Sequence, residues 1–359
     1  MKSVIYQTDF KINMFDSNLH IKKMRDVILL FFFLIFIIPL NGHAQQKEVV
    51  AEKGDGIYRL LTKNGLSFAE YSSAFIELNK SLLGKDNTLI AGVKYKLPSE
   101  KNAVNTNSST TSARNIKTFD IFGAKYEDVE ITGNELDGAI YYLVSGHGGP
   151  DPGAIGKYGS YNLCEDEYAY DVTLRLAREL IKHGATVYMI TRDPNDGIRD
   201  DSFLKADKDE MCYPSLRIPL NQTRRLQQRT DVVNNLYAKN KPSFQRMIVI
   251  HVDSRGNGEN IDVFFYHDRR SNTGHKAAQT LQKTFQEKYN EHQPGRGYHG
   301  TVSSRNLYVI RNSYPPTVYI ELGNINHIRD QQRFIIADNR QAVANWLREG
   351  LIVDYGNNK

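Results

Sequence analysis

Cysteine is scarce in this sequence, and that sets the first constraint. Only Cys164 and Cys212 occur in 359 residues. They can form one disulfide or none, so the fold must stand on a buried apolar core rather than on a disulfide framework. Runs of one charge are missing too. Lys and Arg total 46 against 41 Asp and Glu, a net charge of +5, with the basic residues scattered along the chain. That balance demands no nucleic-acid partner, and a mildly basic surface suits an anionic polymer equally well. No internal repeat is visible.

Several catalytic signatures are also absent. Without a G-x-S-x-G elbow, a serine hydrolase of that type is unsupported. There is no H-E-x-x-H helix, and "GHGGPDPG" lacks the Lys-Ser/Thr ending of a phosphate loop. Neither cysteine lies in a local nucleophile signature.

The one long apolar run, Val27 to Leu40, follows Lys22, Lys23 and Arg25 and precedes the small residues Gly42 and Ala44. This is the three-part layout of a secretory signal peptide. The run is shorter than the roughly 20 residues a membrane span needs. Residues 1–44 are therefore expected to be a signal peptide cleaved after Ala44, the alternative being an uncleaved anchor, and Met24 is a candidate initiator. No cysteine lies near the cleavage point, which argues against a lipoprotein. The mature chain is expected to be secreted or periplasmic and associated with the cell wall, with no membrane span.

Residues 47–98 read as a small α+β unit of strand, helix, helix and strand. Ile57, Leu60 and Leu61 share one helical face, and Phe68, Tyr71, Phe75 and Leu78 another, with Gly65 at the turn. "TLIAGVKYKLP" closes the unit as a strand. It resembles a lysin motif (LysM) through Gly54-Asp55 opening the first helix, Asn79 after the second and "AGVKYKLP" at the end. The resemblance implies binding of N-acetylglucosamine-containing glycans such as peptidoglycan and chitin. Residues 99–117, rich in Ser, Thr and Asn, cannot bury a core and read as a flexible linker.

From 118 to 353 strands and helices alternate. Strands are expected at 139–144, 185–192, 246–252, 261–267 and 316–323. Helices are expected at 166–183, 222–239, 272–290 and across 330–351. This pattern predicts an α/β domain with a mostly parallel sheet flanked by helices. The charged stretch Pro194 to Pro219, which holds Cys212, breaks the alternation and reads as an inserted surface loop.

In such sheets, sites collect where strands run into loops. His147 follows the strand ending at Val144, in a loop crowded with Gly146, Gly148, Gly149 and Gly153. His251 closes the apolar strand "MIVI", and Glu321 lies within "PTVYIELGN". A carboxylate among apolar residues is costly unless paired, metal-bound or catalytic. Glu165 has two readings. It stands three residues after Asn162, as in a capping box. It also continues the sheet-facing row Leu180, Leu176, Thr173 and Ala169, whereas Glu167 points about 160° away. Two histidines and a carboxylate from separate elements, with one open position, are the donor set of catalytic zinc.

"GHGGPDPGAIG", "VYMITRD", "QRTDVVN", "IVIHVDS", "LYVIRN" and "PTVYIELGNINHIRDQQRF" occur in the order seen in the amidase_3 family, which this region resembles. The resemblance implies a zinc-dependent N-acetylmuramoyl-L-alanine amidase acting on peptidoglycan. His147 and His251 would be metal ligands and Glu321 the catalytic residue. The family's metal Glu usually stands immediately before "KDV", but here Ala169 precedes "YDVTL". The third ligand therefore lies upstream, at Glu165, with Glu167 as the alternate. The stretch 194–219 is longer than the family's usual link, and the His251–Glu321 link is too short for an added autoinhibitory helix. Arg311 is a candidate contact for stem-peptide carboxylates, its alternative being a structural ion pair. Two rival readings stay open: a non-catalytic wall-binding protein, and a zinc peptidase acting on the stem peptide. A protein activator is also left open.

Overall fold

A computed structural model describes residues 47–52, 55–66, 68–84, 88–99, 115–254 and 262–359. The signal-peptide reading of residues 1–44, Gly54 of the LysM-like signature and nearly all of the linker reading fall outside the described residues. The chain divides into two compact units, between Thr111 and Ser112. Among the described residues no helix is long and apolar enough to cross a membrane.

The first unit contains β1 (Glu48–Val50), α1 (Ile57–Thr62), α2 (Phe68–Asn79) and β2 (Lys94–Lys96). The two strands pair antiparallel, with Val49 opposite Tyr95. Leu60 and Leu61 of α1, Phe75 of α2, and Tyr95 and Leu97 form its buried core. Asn79 is fully buried and joins helix to strand. Its amide donates to the Phe75 and Lys96 carbonyls, and its oxygen accepts from the Lys96 N–H. In a core this small, a side chain satisfying three backbone groups replaces apolar area that the unit cannot supply.

The second unit opens with β3 (Ile116–Thr118), paired antiparallel with β4 (Asp128–Glu130). β3 therefore starts within the last residues read as linker. Then follow β5 (Ala139–Ser145), the hairpin β6 (Ile155–Tyr158) and β7 (Tyr161–Cys164), α3 (Glu165–Lys182), β8 (Thr186–Met189) and β9 (Thr191–Arg192). Next come β10 (Met211–Cys212), β11 (Leu216–Arg217), α4 (Gln222–Lys239), β12 (Phe244–Asp253), β13 (Phe264–His267) and α5 (Asn272–His292). The chain closes with β14 (Val302–Ser304), α6 (Tyr308–Asn312), β15 (Thr317–Asn324), α7 (Ile328–Ile335) and α8 (Ala337–Asn358).

Six strands form the central sheet in the order β14-β13-β15-β12-β5-β8. The run β15, β12, β5, β8 is parallel, and β13 joins β15 antiparallel. The sheet is thus mixed and mostly parallel, as the alternation predicts. Helices cover both faces. Leu143, Ile248, Ile250 and Ile320 pack with Leu176 of α3, Leu281 of α5 and Leu347 of α8. Val144, Val249 and Tyr319 pack on the other side with Val233 of α4 and Val309 of α6. Strands buried on both faces need apolar residues at every position, which is why "MIVI" shows no alternation.

The stretch 194–219 is irregular over most of its length and much of it is exposed, as expected of a surface insertion, but it is anchored. Its β10 and β11 extend β9 into a three-stranded antiparallel sheet. Ile198, Leu204, Cys212 and Ile218 are all buried. Many of its charges pair internally or with α3, so the charged composition does not mean solvation. Cys212 and Cys164 are both buried free thiols.

α3 is enclosed on two sides, by the sheet and by α8. On the α8 side the buried Asp171 carboxylate takes Arg175 Nε at 2.7 Å and Arg340 Nε at 2.6 Å. Arg340 and Arg175 also donate to the Arg199 carbonyl. The pair therefore fixes the start of the 194–219 segment as well as the helices. Asp171→Ala leaves two buried guanidiniums without their carboxylate. It is expected to lower unfolding stability by about 3–5 kcal/mol in a denaturant titration.

Candidate active site

His147 sits just past the end of β5. The Gly146 N–H continues the sheet by donating to the Ile250 carbonyl at 2.7 Å. The next residue breaks the strand: His147 has φ 61°, a left-handed backbone that a residue with a Cβ rarely adopts. Arg229 of α4 donates to the His147 carbonyl and holds that conformation.

The glycines around it are required by close approach. A Cβ on Gly146 would lie 2.3 Å from Cε1 of His251. One on Gly153 would lie 2.7 Å from both Glu165 Oε2 and His147 Cδ2. Glycine at these two positions leaves room for the three functional side chains themselves.

His251, near the end of β12, is stacked on Tyr319 of β15 (centroids 4.5 Å, planes at 16°) and meets His147 edge-on at 4.9 Å. Glu165 is the first residue of α3, delivered by the β6–β7 hairpin. Its carboxylate is 5% exposed. Oε2 accepts from the Ala154 N–H at 2.9 Å and lies 3.2 Å from His147 Nε2. Oε1 accepts from the Val252 N–H at 3.0 Å and lies 2.9 Å from His251 Nδ1. The helix N-terminus adds favourable potential for the anion.

The capping-box reading of Glu165 fails. Asn162 lies inside β7, the residue before the helix is Cys164, and it makes no side-chain cap. The hairpin strand extends to the helix start and leaves no turn for a cap. Glu167 is turned from the histidines, as face counting indicates. It pairs with Arg199 at 2.9 Å and accepts from the Asp207 N–H.

Residues outside the sequence reading complete the surroundings. His147 Nδ1 faces Asp151 Oδ2 at 3.1 Å, and the same oxygen takes Arg225 Nη2 at 2.6 Å. This turns His147 Nε2 toward Glu165, the carboxylate–histidine relay common behind metal ligands. Burial works against protonation of His147, but its bonds to Asp151 and Glu165 outweigh this and raise its pKa to about 9. For His251 burial wins and the pKa is lowered. Burial would raise Glu165, but the two imidazoles hold it well below the usual carboxylate range. The Glu165 carboxylate is thus held as an anion between the two imidazoles. Their donor atoms lie within 4.8 Å of one another, and two imidazoles with one carboxylate match zinc's donor preference.

Glu321 is partly exposed on β15, in register with His251 on β12 and Phe264 on β13. A cleft of about 200 Å³ opens beside the site, lined by His147, His251, Tyr319, Arg225 and Tyr308. Arg311 does not join it. It is exposed on α6, bonded to Asn306 at 3.2 Å, in a second cleft of about 430 Å³ shared with Arg269, Arg270 and Arg305. Yet Tyr308 and Val309 of the same helix line the histidine cleft.

Residues 142–353 match the family model described as N-acetylmuramoyl-L-alanine amidase, Amidase_3. The chain belongs to this family. The matched region contains His147, Glu165, His251 and Glu321. Among curated proteins none matches the sequence. The chain is similar to solved structures at low identity. One is the N-acetylmuramoyl-L-alanine amidase from Clostridium difficile 630, with 20% identity, a TM-score of 0.46, and coverage of 62% of this chain and 99% of that one. Another is the catalytic domain of CwlV from Bacillus (Paenibacillus) polymyxa var. colistinus, with 20% identity, a TM-score of 0.44 and coverages of 62% and 99%. A third is the amidase from Mycobacterium smegmatis, with 15% identity, a TM-score of 0.45 and coverages of 62% and 99%.

Gly146→Ala tests the close-approach argument in this family member. The added methyl meets the His251 ring, so the ring must move away from Glu165. The variant is expected to stay folded, at a cost of about 1–3 kcal/mol. The displaced ring should show as a changed His251 imidazole resonance in NMR spectra of the variant beside the wild type.

Proposed function

We propose that this chain is a zinc-dependent peptidoglycan amidase that hydrolyses the amide between N-acetylmuramic acid and the L-alanine of the stem peptide. The observation that carries this reading is the convergence of His147, Glu165 and His251 on one buried point within the matched family region. These three residues would hold the zinc, with Glu165 rather than Glu167 as the carboxylate. Zinc, when bound, polarises a carbonyl and lowers the pKa of water.

The remaining groups position and move protons. Asp151, backed by Arg225, fixes the tautomer of His147. Arg229 fixes the backbone that aims it. Glu321, on the strand beside His251, acts as general base: it takes a proton from the attacking water and returns it to the departing amine nitrogen. Arg311 and the neighbouring guanidiniums offer a counter-charge for stem-peptide carboxylates.

The first unit, through its resemblance to a lysin motif, would bind the glycan and raise the local enzyme concentration at the wall. Residues 1–44 would direct export, placing the enzyme with its substrate outside the cytoplasm.

Mass analysis of digested peptidoglycan distinguishes the readings. An amidase releases intact stem peptides, a peptidase shortened ones, and a wall-binding protein nothing. Glu321→Gln is expected to retain zinc and fold but to lose on the order of 100-fold or more in turnover. Near-normal turnover of the zinc-loaded variant would remove Glu321 from the mechanism. Removal of residues 45–100 is expected to leave turnover on small soluble muropeptides nearly unchanged while weakening action on intact sacculi. Equal loss on both substrates would contradict the tethering role.

A further inference from the structure

Behind the histidine site lies a second group of buried carboxylates: Asp166, Glu167 and Glu210. Their relative exposures are 2%, 2% and 5%, and one oxygen of each lies within 4.8 Å of the others. Asp166 and Glu167 stand in the first turn of α3, whereas Glu210 comes from the 194–219 segment, immediately before β10. Two distant parts of the chain thus bring like charges together away from water.

The partners present do not balance them. Glu167 takes Arg199, which it shares with Asp196. Glu210 Oε2 accepts from the Gly149 N–H at 2.6 Å. Asp166 Oδ1 accepts from the Glu167 N–H at 2.9 Å, but its buried Oδ2 has no hydrogen-bond donor. Among the described residues only Glu167 has a direct ion pair; Asp166 and Glu210 have none within 4.0 Å, and one buried oxygen of Asp166 has nothing to bond. The helix N-terminus supplies only about half a positive charge. Leaving an anion in this state costs several kcal/mol. An all-oxygen donor set of carboxylates suits a hard cation of calcium's class and not zinc, which favours nitrogen and sulfur.

We propose that Asp166, Glu167 and Glu210 bind a second, hard divalent cation that fastens the 194–219 segment to the start of α3. The same cation supports the loop that carries His147. Glu210 bonds to Gly149, and a Cβ on Gly148 would lie 3.4 Å from the Cβ of Glu210. The proposal does not rest on the amidase reading, because a cation bound there braces the fold whatever reaction the histidine site performs.

The test uses the full chain loaded with zinc and stripped of calcium. Calcium binding is measured by equilibrium dialysis, zinc content in the same samples, and the thermal midpoint with and without millimolar calcium. One calcium per chain and a higher midpoint are expected for the wild type. Asp166→Asn and Glu210→Gln should each weaken calcium binding on the order of tenfold or more while zinc content holds. Without calcium, Glu210→Gln should melt at or above the wild type, because it removes one of the crowded charges, and with calcium the order should reverse. Absence of saturable binding of calcium, magnesium or manganese by the wild type overturns the proposal. So does calcium binding that both variants leave unchanged. Should one variant fail to fold, the wild-type stoichiometry and the other variant still decide the matter.

Discussion

The Glu165 carboxylate is the anion around which the site is arranged. Taking it out of water costs several kcal/mol unless every lone pair finds a partner. The chain meets that cost from three elements. Ala154 ahead of the β6–β7 hairpin and Val252 on β12 each give a backbone N–H, and His147 and His251 close in from two strand ends. Each partner constrains its own segment. The hairpin must deliver the helix start to the sheet, and β12 must run one residue past His251. The His147 loop must turn through a left-handed residue. Gly146 and Gly153 follow from the same requirement, because a Cβ at either would enter the space the three side chains share.

That anion can stay in place only if α3 is held firmly, and a second buried anion, Asp171, holds it from the far side. Through Arg340, Asp171 links α3 to α8, and both Arg340 and its α3 neighbour Arg175 reach the backbone of the 194–219 segment at the Arg199 carbonyl. Glu167 adds another link to Arg199 on that segment. The helix is thus gripped by apolar contacts toward the sheet and by ion pairs on the other side.

The central fold was legible because its strands are buried on both faces. Runs such as "MIVI" and "TVYI" are apolar throughout, and the helices between them carry plain punctuation. α4 spans the expected residues 222–239, and the Asn221 side chain caps it by accepting from the Arg224 N–H. Face counting placed Glu165 on the side where the histidines lie, while the capping pattern around Asn162 was misleading. The short strands were not legible. Strands of two to four residues, such as β6, β7, β10 and β11, are too brief to show a period, and β3 begins inside a run of linker composition. The charged stretch 194–219 concealed Ile198, Leu204 and Cys212 because its apolar residues are irregularly spaced. Asp151 and Arg225 were missed for a different reason. They meet across 74 positions, and no local pattern signals a partner so far along the chain.

The arrangement of charge around the His147 loop explains why the 194–219 segment belongs to the site. The loop is held at three points. Arg229 holds the His147 carbonyl, Arg225 acts on its ring through Asp151, and Glu210 takes the Gly149 N–H. The first two anchors lie on α4 and the third lies on the segment that leads directly into it. One continuous stretch, from β9 to the middle of α4, therefore clamps the loop with cations at one end and an anion at the other. The segment and the loop meet at Gly149, next but one to His147. The 194–219 segment is thus bonded, through Glu210 and Gly149, to the loop of a residue proposed to hold the metal.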